Sequence, residues 1–216
     1  MKIGVFDSGI GGQSVASAIQ ESLPSIDIVV KEDRANLPYG NKSKAQLLQL
    51  VPPIFQELIN QGCQVIVVAC NTVTTMLIAD LREQFPNTPL VGIEPMIKPA
   101  AEQTLTNVIA VCATPATLKS KRYDELKQSY AANVQVLEPD CSDWAAMIEQ
   151  DTIDQQKIAA RITEVLELGA DQVVLACTHY HWIEEEIKQL CQNKAQVLQP
   201  EQAIIRQLKR VLEQLS

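Results

Sequence analysis

Val65-Ile66-Val67-Val68-Ala69-Cys70-Asn71-Thr72 is an apolar, β-branched run that stops at a cysteine followed by small polar residues, and Val173-Val174-Leu175-Ala176-Cys177-Thr178-His179 repeats the pattern. Such a run reads as a strand buried on both faces, the form parallel strands take between layers of helices. Gly62 and Gly169 each stand eight residues before the cysteine of their run. Open α/β folds hold their ligands beyond the C-terminal edge of the parallel strands. Two cysteines at that edge, one from each run, predict a thiol on either side of a shared pocket.

The correspondence reaches past these two runs. Cys70 and Cys177 are 107 residues apart, about half of the 216-residue chain. The same offset carries Lys2-Ile3-Gly4-Val5-Phe6 to within one residue of Ile109-Ala110-Val111-Cys112-Ala113, and Ile28-Val29-Val30 onto Gln135-Val136-Leu137. It brings Leu90-Val91-Gly92-Ile93-Glu94-Pro95 close to Val197-Leu198-Gln199-Pro200. Four apolar strands in one order at one spacing mark an internal repeat. The expected fold is α/β: two similar Rossmann- or flavodoxin-like half-domains related by a pseudo-two-fold axis, with the active site between them. The first covers residues 1–95 and the second 96–198, and a C-terminal helix at about 199–216 is free to pack back onto the first.

Hydrophobic residues make up 46% of the chain and charged residues 20%, the balance of a globular protein with a real core. A net charge of −8 leaves no basic stripe to neutralise phosphates, which argues against nucleic acid as a partner. No apolar run nears the roughly 20 residues of a membrane-spanning helix, so no membrane partner is expected. Met1-Lys2-Ile3 enters a strand directly and leaves no room for a signal peptide, so the expected location is cytoplasmic. The six cysteines, at 63, 70, 112, 141, 177 and 191, form no CxxC pair. Only His179 and His181 add imidazoles, which gives a metal site weak support; Cys63, Cys112 and Cys191 read as buried free thiols.

Along the chain the pattern is βα repeated. A strand at 2–7 passes through Ser8-Gly9-Ile10-Gly11-Gly12 into a helix from about Gln13 to Glu21. Ser14 occupies the third glycine position of a dinucleotide fingerprint, so the turn is a poor nucleotide site. It reads instead as a turn where Asp7, Ser8 and the following amides face a small anion at a helix start. A strand at 26–31 and the polar loop Asp33–Gly40 precede a helical stretch at 43–61, which Pro52-Pro53 must kink or split. The Cys70 strand leads into a helix to about Phe85 that Asn71 and Thr72 can cap. The second half repeats the plan, with Ala113–Thr117 before a helix to about Tyr130, then a helix containing Glu149, one at 154–168, one from His181 to about Leu190, and a final amphipathic helix at 201–215.

Two facing thiols that are not bonded to each other suit proton transfer. A cysteine with an ordinary pKa near 8.5 is a usable acid and base near neutrality once its neighbours adjust it. Asp7 ends the strand expected beside that of Cys70, and His179 lies two residues beyond Cys177. A carboxylate near one thiol and an imidazole near the other can relay protons. Thiols on opposite faces of a carbon can remove a proton from one face and return one to the other, which is racemisation or epimerisation.

Together, Asp7-Ser8-Gly9-Ile10-Gly11-Gly12, Pro38-Tyr39-Gly40, Cys70-Asn71-Thr72 and Cys177-Thr178-His179-Tyr180 resemble the cofactor-independent glutamate racemases of the aspartate/glutamate racemase superfamily. The resemblance spans nearly the whole chain. It implies two α/β half-domains with a small-molecule substrate, glutamate or aspartate, between them. It further implies interconversion of L- and D-glutamate without pyridoxal phosphate, another cofactor or a metal, supplying D-glutamate for peptidoglycan. By the resemblance, Cys70 takes the α-proton from the D-isomer with Asp7 assisting, and Cys177 takes it from the L-isomer with His179 assisting. Glu149 matches a further family acid on the Cys177 side. Ser8, Pro38, Tyr39, Gly40, Asn71, Thr72, Thr114, Thr117 and Thr178 match positions that hold the substrate. Hydroxyls, an amide and backbone N–H groups suit that task because they bind charge without adding a competing base.

The chain also departs from the family. Arg34 stands where a small residue is usual, and Asn36 where arginine is frequent. Ser142-Asp143-Trp144-Ala145-Ala146 replaces an apolar, proline-containing stretch, and His181 replaces the proline usual after Cys-Thr-His-Tyr. The chain is also shorter than most members. Arg34, just before Pro38-Tyr39-Gly40, is expected to reach a substrate carboxylate. Aspartate racemisation ranks second, because Thr74 and His179 fit the glutamate branch. A non-catalytic acid-binding paralogue ranks below both, since both cysteines and both assistants are present. A homodimer remains open.

Overall fold

The computed structural model describes residues 1–215, so Ser216, the last residue of the expected 199–216 segment, lies outside the described residues. Its first half alternates β1 (Lys2–Asp7), α1 (Gly11–Ser22), β2 (Asp27–Glu32), α2 (Lys44–Asn60), β3 (Val65–Val68), α3 (Asn71–Gln84) and β4 (Leu90–Gly92). After α4 (Ile97–Gln103) come β5 (Val108–Ala113), α5 (Pro115–Leu118), α6 (Lys121–Tyr130), β6 (Gln135–Leu137), α7 (Trp144–Glu149), α8 (Gln155–Glu167), β7 (Gln172–Ala176), α9 (Glu184–Cys191) and β8 (Gln196–Leu198). Helix α10 (Glu201–Leu215) follows. Each half is a four-stranded sheet, ordered β2-β1-β3-β4 and β6-β5-β7-β8, and every pair of neighbouring strands is parallel. The two orders are the same order read twice, as the 107-residue offset predicts.

The apolar runs are strands because both of their faces are covered. Ile66 and Val68 of β3 pack with Phe6, Val51, Phe55 and Leu77, while Val65 and Val67 pack on the other face with Ile3, Val5, Val15 and Ile19. In the second half, Val173 and Leu175 of β7 face Ile162 and Ile187, and Val174 faces Ile97 and Tyr123. Each such side chain taken out of water stabilises the fold by about 2 kcal/mol. Ile204, Ile205, Leu208 and Leu212 of α10 join the cluster around Ile3, Val5 and Val91, so the last helix completes the first half's core.

The shared glycine spacing has a local cause. Gly62 and Gly169 adopt φ of 84° and 93° just beyond α2 and α8. The N–H groups of the next residues, Cys63 and Ala170, return to the carbonyls of Leu58 and Val165 at 3.1 and 3.0 Å. This left-handed helix ending favours glycine and turns the chain straight into the next strand.

Two expectations change. Helix α2 is not split, since Pro52 and Pro53 both lie inside it. A Ser43–Gln46 capping box starts it, and its buried stripe, Leu47, Val51, Phe55 and Leu58, holds it to the sheet. The helix expected between Thr117 and Tyr130 is α6, begun where the Ser120 hydroxyl accepts the Tyr123 N–H, and the short α5 before it had no expectation attached to it. The segment from His181 begins in a 3-10 turn, Thr178–Ile183, before α9. Helix α4 had no expectation attached to it. Among the described residues, no helix is long and apolar enough to cross a membrane.

Candidate active site

The parallel register delivers the site residues. Phe6 lies opposite Val68, so Asp7 and Ser8 leave β1 beside the segment that carries Cys70 from β3. Ala113 lies opposite Ala176, so Thr114 and Cys177 leave the second sheet side by side. Both strand ends open on one cleft, lined by Ser8, Cys70, Asn71 and Thr72 from one half and by Thr114, Cys177, Thr178 and His179 from the other.

On the first side, the Cys70 thiol points to the Ser8 hydroxyl, with Sγ and Oγ 3.7 Å apart. Burial pushes this thiol up to about 12, and the charge of Asp7 adds to the rise, against partial relief from the Val73 and Thr72 N–H groups. Asn71 is not the helix cap expected of it. The capping position of α3 is Cys70, without a side-chain bond, and both amide atoms of Asn71 are buried with no protein partner. A buried amide left unsatisfied is costly, so this one is set for a polar group arriving in the cleft it lines. Thr72 does not cap either: its hydroxyl meets that of Thr114 at 2.9 Å across the two halves. Thr114 in turn donates to Thr117 at 3.1 Å, and Thr117 lies behind it, fully buried and away from the cleft wall.

On the second side, a chain of contacts runs outward from the thiol. Cys177 Sγ is 3.8 Å from His179 Nδ1, and His179 Nε2 is 2.9 Å from Glu149 Oε2. A carboxylate that accepts from Nε2 fixes the tautomer that leaves Nδ1 free to accept from the thiol. Glu149 Oε2 also takes the Ile10 N–H at 3.3 Å, and its Oε1 takes Arg34 Nε at 2.6 Å. Burial works to raise the Glu149 pKa, but the Ile10, His179 and Arg34 bonds outweigh it and hold the carboxyl below its ordinary value. Burial pushes the Cys177 thiol well up, against the His179 backbone N–H, and the charges of Cys70 and Asp7 raise it further.

Asp7 lies behind both thiols. It is fully buried and accepts from the Gly9 N–H at 3.3 Å and the Thr178 hydroxyl at 3.2 and 3.3 Å. Burial raises its pKa to about 6, against the lowering effects of His179 and these bonds. The glycine-rich turn after it is no nucleotide cradle. A Cβ on Gly9 would come within 2.6 Å of His179 Nε2, and one on Gly11 within 2.6 Å of Thr178, so these glycines let the halves touch. The small anion expected at this helix start is the chain's own Glu149 carboxylate.

The loop before α2 completes the first wall. Pro38, Tyr39 and Gly40 line the cleft, and the buried Tyr39 hydroxyl donates to Asp33 Oδ2 at 2.5 Å. A Cβ on Gly40 would lie 2.9 Å from Thr114 Cβ, another close approach of the halves. Arg34 does not reach into the cleft as expected: it is absent from the lining and bonded to Glu149. Sequence reasoning missed Asp33, Asn41 and Gln150. Asp33 had a signal, an acidic residue opening a polar loop, but its buried bonds to Asn36 and Tyr39 appear only on folding. Asn41 and Gln150 line the cleft and carried no signal. Ser142, Ala145 and Ala146, noted as departures, form its opposite wall.

The model of the Asp/Glu/hydantoin racemase family matches residues 13–208. The glutamate racemase of Pseudomonas aeruginosa is 38% identical over 214 residues, 97% of this chain and 81% of that protein. The crystal structure of Escherichia coli glutamate racemase with L-glutamate and the activator UDP-MurNAc-Ala superposes with a TM-score of 0.88 at 30% identity, covering 98% of this chain and 82% of that one. That of the Francisella tularensis enzyme with D-glutamate gives 0.81 at 28% identity, covering 99% and 81%.

Proposed function

This chain belongs to the Asp/Glu/hydantoin racemase family, and from that membership we infer that it is an amino-acid racemase interconverting L- and D-glutamate. A two-base route is supported by one observation above the others: Cys70 and Cys177 end equivalent strands of the two sheets and line the same cleft. The rest of the mechanism is our proposal. With only protein groups around them both sulfurs are thiols, since burial disfavours the thiolate. The α-ammonium of a bound amino acid brings a positive charge into the cleft and tips one sulfur toward thiolate.

From L-glutamate, His179 Nδ1 takes the Cys177 proton, and Glu149 steadies the imidazolium so formed. The Cys177 thiolate removes the α-proton, and the Cys70 thiol delivers its own proton to the opposite face. From D-glutamate the roles reverse, with the Asp7 carboxylate acting on Cys70. Ser8, Asn71, Thr72, Thr114, Thr178 and the Pro38-Tyr39-Gly40 loop hold the substrate through neutral donors, with Thr117 behind Thr114. No cofactor or metal enters this route, and its D-glutamate would feed peptidoglycan synthesis. The test is incubation of each enantiomer of glutamate and of aspartate in deuterated water, with and without chelator. Circular dichroism should decay from either glutamate isomer as deuterium enters the α-position, unaffected by chelator. Turnover of aspartate in place of glutamate, or a requirement for an added cofactor, would refute the reading.

A further inference from the structure

Glu149 is gripped from three directions. Its Oε2 accepts from His179 and from the Ile10 N–H, and its Oε1 is left for Arg34, 115 residues away in sequence and in the other half. The Arg34 side chain is 54% exposed, against 12% for Glu149 and 4% for His179, so the guanidinium sits at the rim with the rest of the relay inside. It has no place in the cleft lining and therefore acts through Glu149. Asp33 anchors the turn that carries it, by accepting from Asn36 at 2.8 and 3.0 Å.

We propose that Arg34 is a positioning residue for the Cys177 side of the reaction: it reaches from the first half to lock Glu149 against His179 and to offset its charge. The inference rests on the racemase reading above. A carboxylate held at one oxygen only can swing, and His179 then loses the partner that fixes its tautomer. A carboxylate with no cation beside it also holds the imidazolium proton too firmly to give it back. Arg34 meets both needs with one charge-assisted bond. The titratable groups facing His179 are Cys177 at the end of β7, Glu149 on α7 and Asp7 on β1. His181, on the same turn, faces Ser14 and Glu201 instead.

The test compares Arg34→Ala and Arg34→Lys with the unaltered protein. Arg34→Ala should lower kcat in both directions about tenfold, the weight of one such bond, with KM nearly unchanged. A glutamate analogue with a β leaving group separates the sides, because elimination needs only α-proton removal. Elimination from the L-analogue should fall about tenfold and its acid limb move to higher pH, while the D-analogue is processed within about twofold of normal. Arg34→Lys should restore the pH profile more than the rate, since it returns the charge without the fork. A rise in KM alone would instead make Arg34 a direct substrate contact, and equal losses of elimination from the L- and D-analogues would make it a clamp between the halves; either overturns the inference. One measurement needs no turnover. With two histidines in the chain, the His179 imidazole can be titrated by NMR, and its midpoint should rise in Arg34→Ala. An unmoved midpoint overturns the Arg34 inference whatever the substrate, whereas failure of the unaltered protein to racemise glutamate overturns the functional reading alone.

Discussion

The two thiols end equivalent strands, yet their surroundings differ in kind. Cys177 has a hydrogen-bonded line behind it, from His179 through Glu149 to Arg34 at the surface. Cys70 has the Ser8 hydroxyl and, without a direct bond, the buried charge of Asp7. In the route proposed above, one side would pass a proton along contacts, and the other would rely on the field of a buried carboxylate. The repeat duplicated the scaffold and not the chemistry. On the proposed route a symmetric scaffold would serve a reaction whose two faces need the same reagent, while each face would tune its reagent by different means.

The largest expected effect tests what the sides share. Cys70→Ser and Cys177→Ser should each cut racemisation by several orders of magnitude, because an alcohol is far too weak an acid to exchange protons near neutrality. Elimination should then separate them, with Cys70→Ser still acting on the L-analogue and Cys177→Ser on the D-analogue. Near-normal racemisation by either variant, measured by circular dichroism, would end the two-base assignment.

His179→Gln probes the bonded side alone. Elimination from the L-analogue should fall roughly 10²-fold, the usual weight of a general acid–base partner, with the D-analogue changed only a few-fold. Equal losses would erase the distinction drawn between the sides.

Asp7→Asn probes the field side and carries a stability signature. Burial raises the pKa of folded Asp7 to about 6, above the ordinary 3.8 of an exposed aspartate. Between those values the folded state holds the extra proton, so stability falls as pH rises through the window, by about 3 kcal/mol in all. The variant should thus lose D-analogue elimination more than L, while its Tm advantage over the unaltered protein is small at pH 4 and largest above pH 6. An advantage independent of pH would mean that Asp7 does not carry this buried charge.

Tyr39→Phe should have the smallest effect. It removes the bond to Asp33, so KM should rise a few-fold and stability fall by about 1–2 kcal/mol, read by substrate titration and urea unfolding. A loss of kcat comparable to that of His179→Gln would give Tyr39 a part in proton transfer instead.

The sequence by itself determined the repeat, the parallel strands and the placing of both cysteines at strand ends. Those features rest on local signals: β-branched runs that can only be buried, and glycines at 62 and 169 whose positive φ ends one helix and starts the next strand. The family resemblance carried by its motifs also named most of the polar lining, Ser8, Asn71, Thr72, Thr114 and Thr178. Folding together of the two halves decided the rest. The anion at the α1 start proved to be Glu149, from 139 residues away, and Arg34 was turned from the substrate to that same carboxylate. Asn71 and Thr72 were drawn from capping into the cleft and across it. These partners come from segments far apart in the chain, and only the packing of the two halves brings them within bonding distance. Strand periodicity records which residues are buried, whereas only the packed interface records which polar groups are buried together.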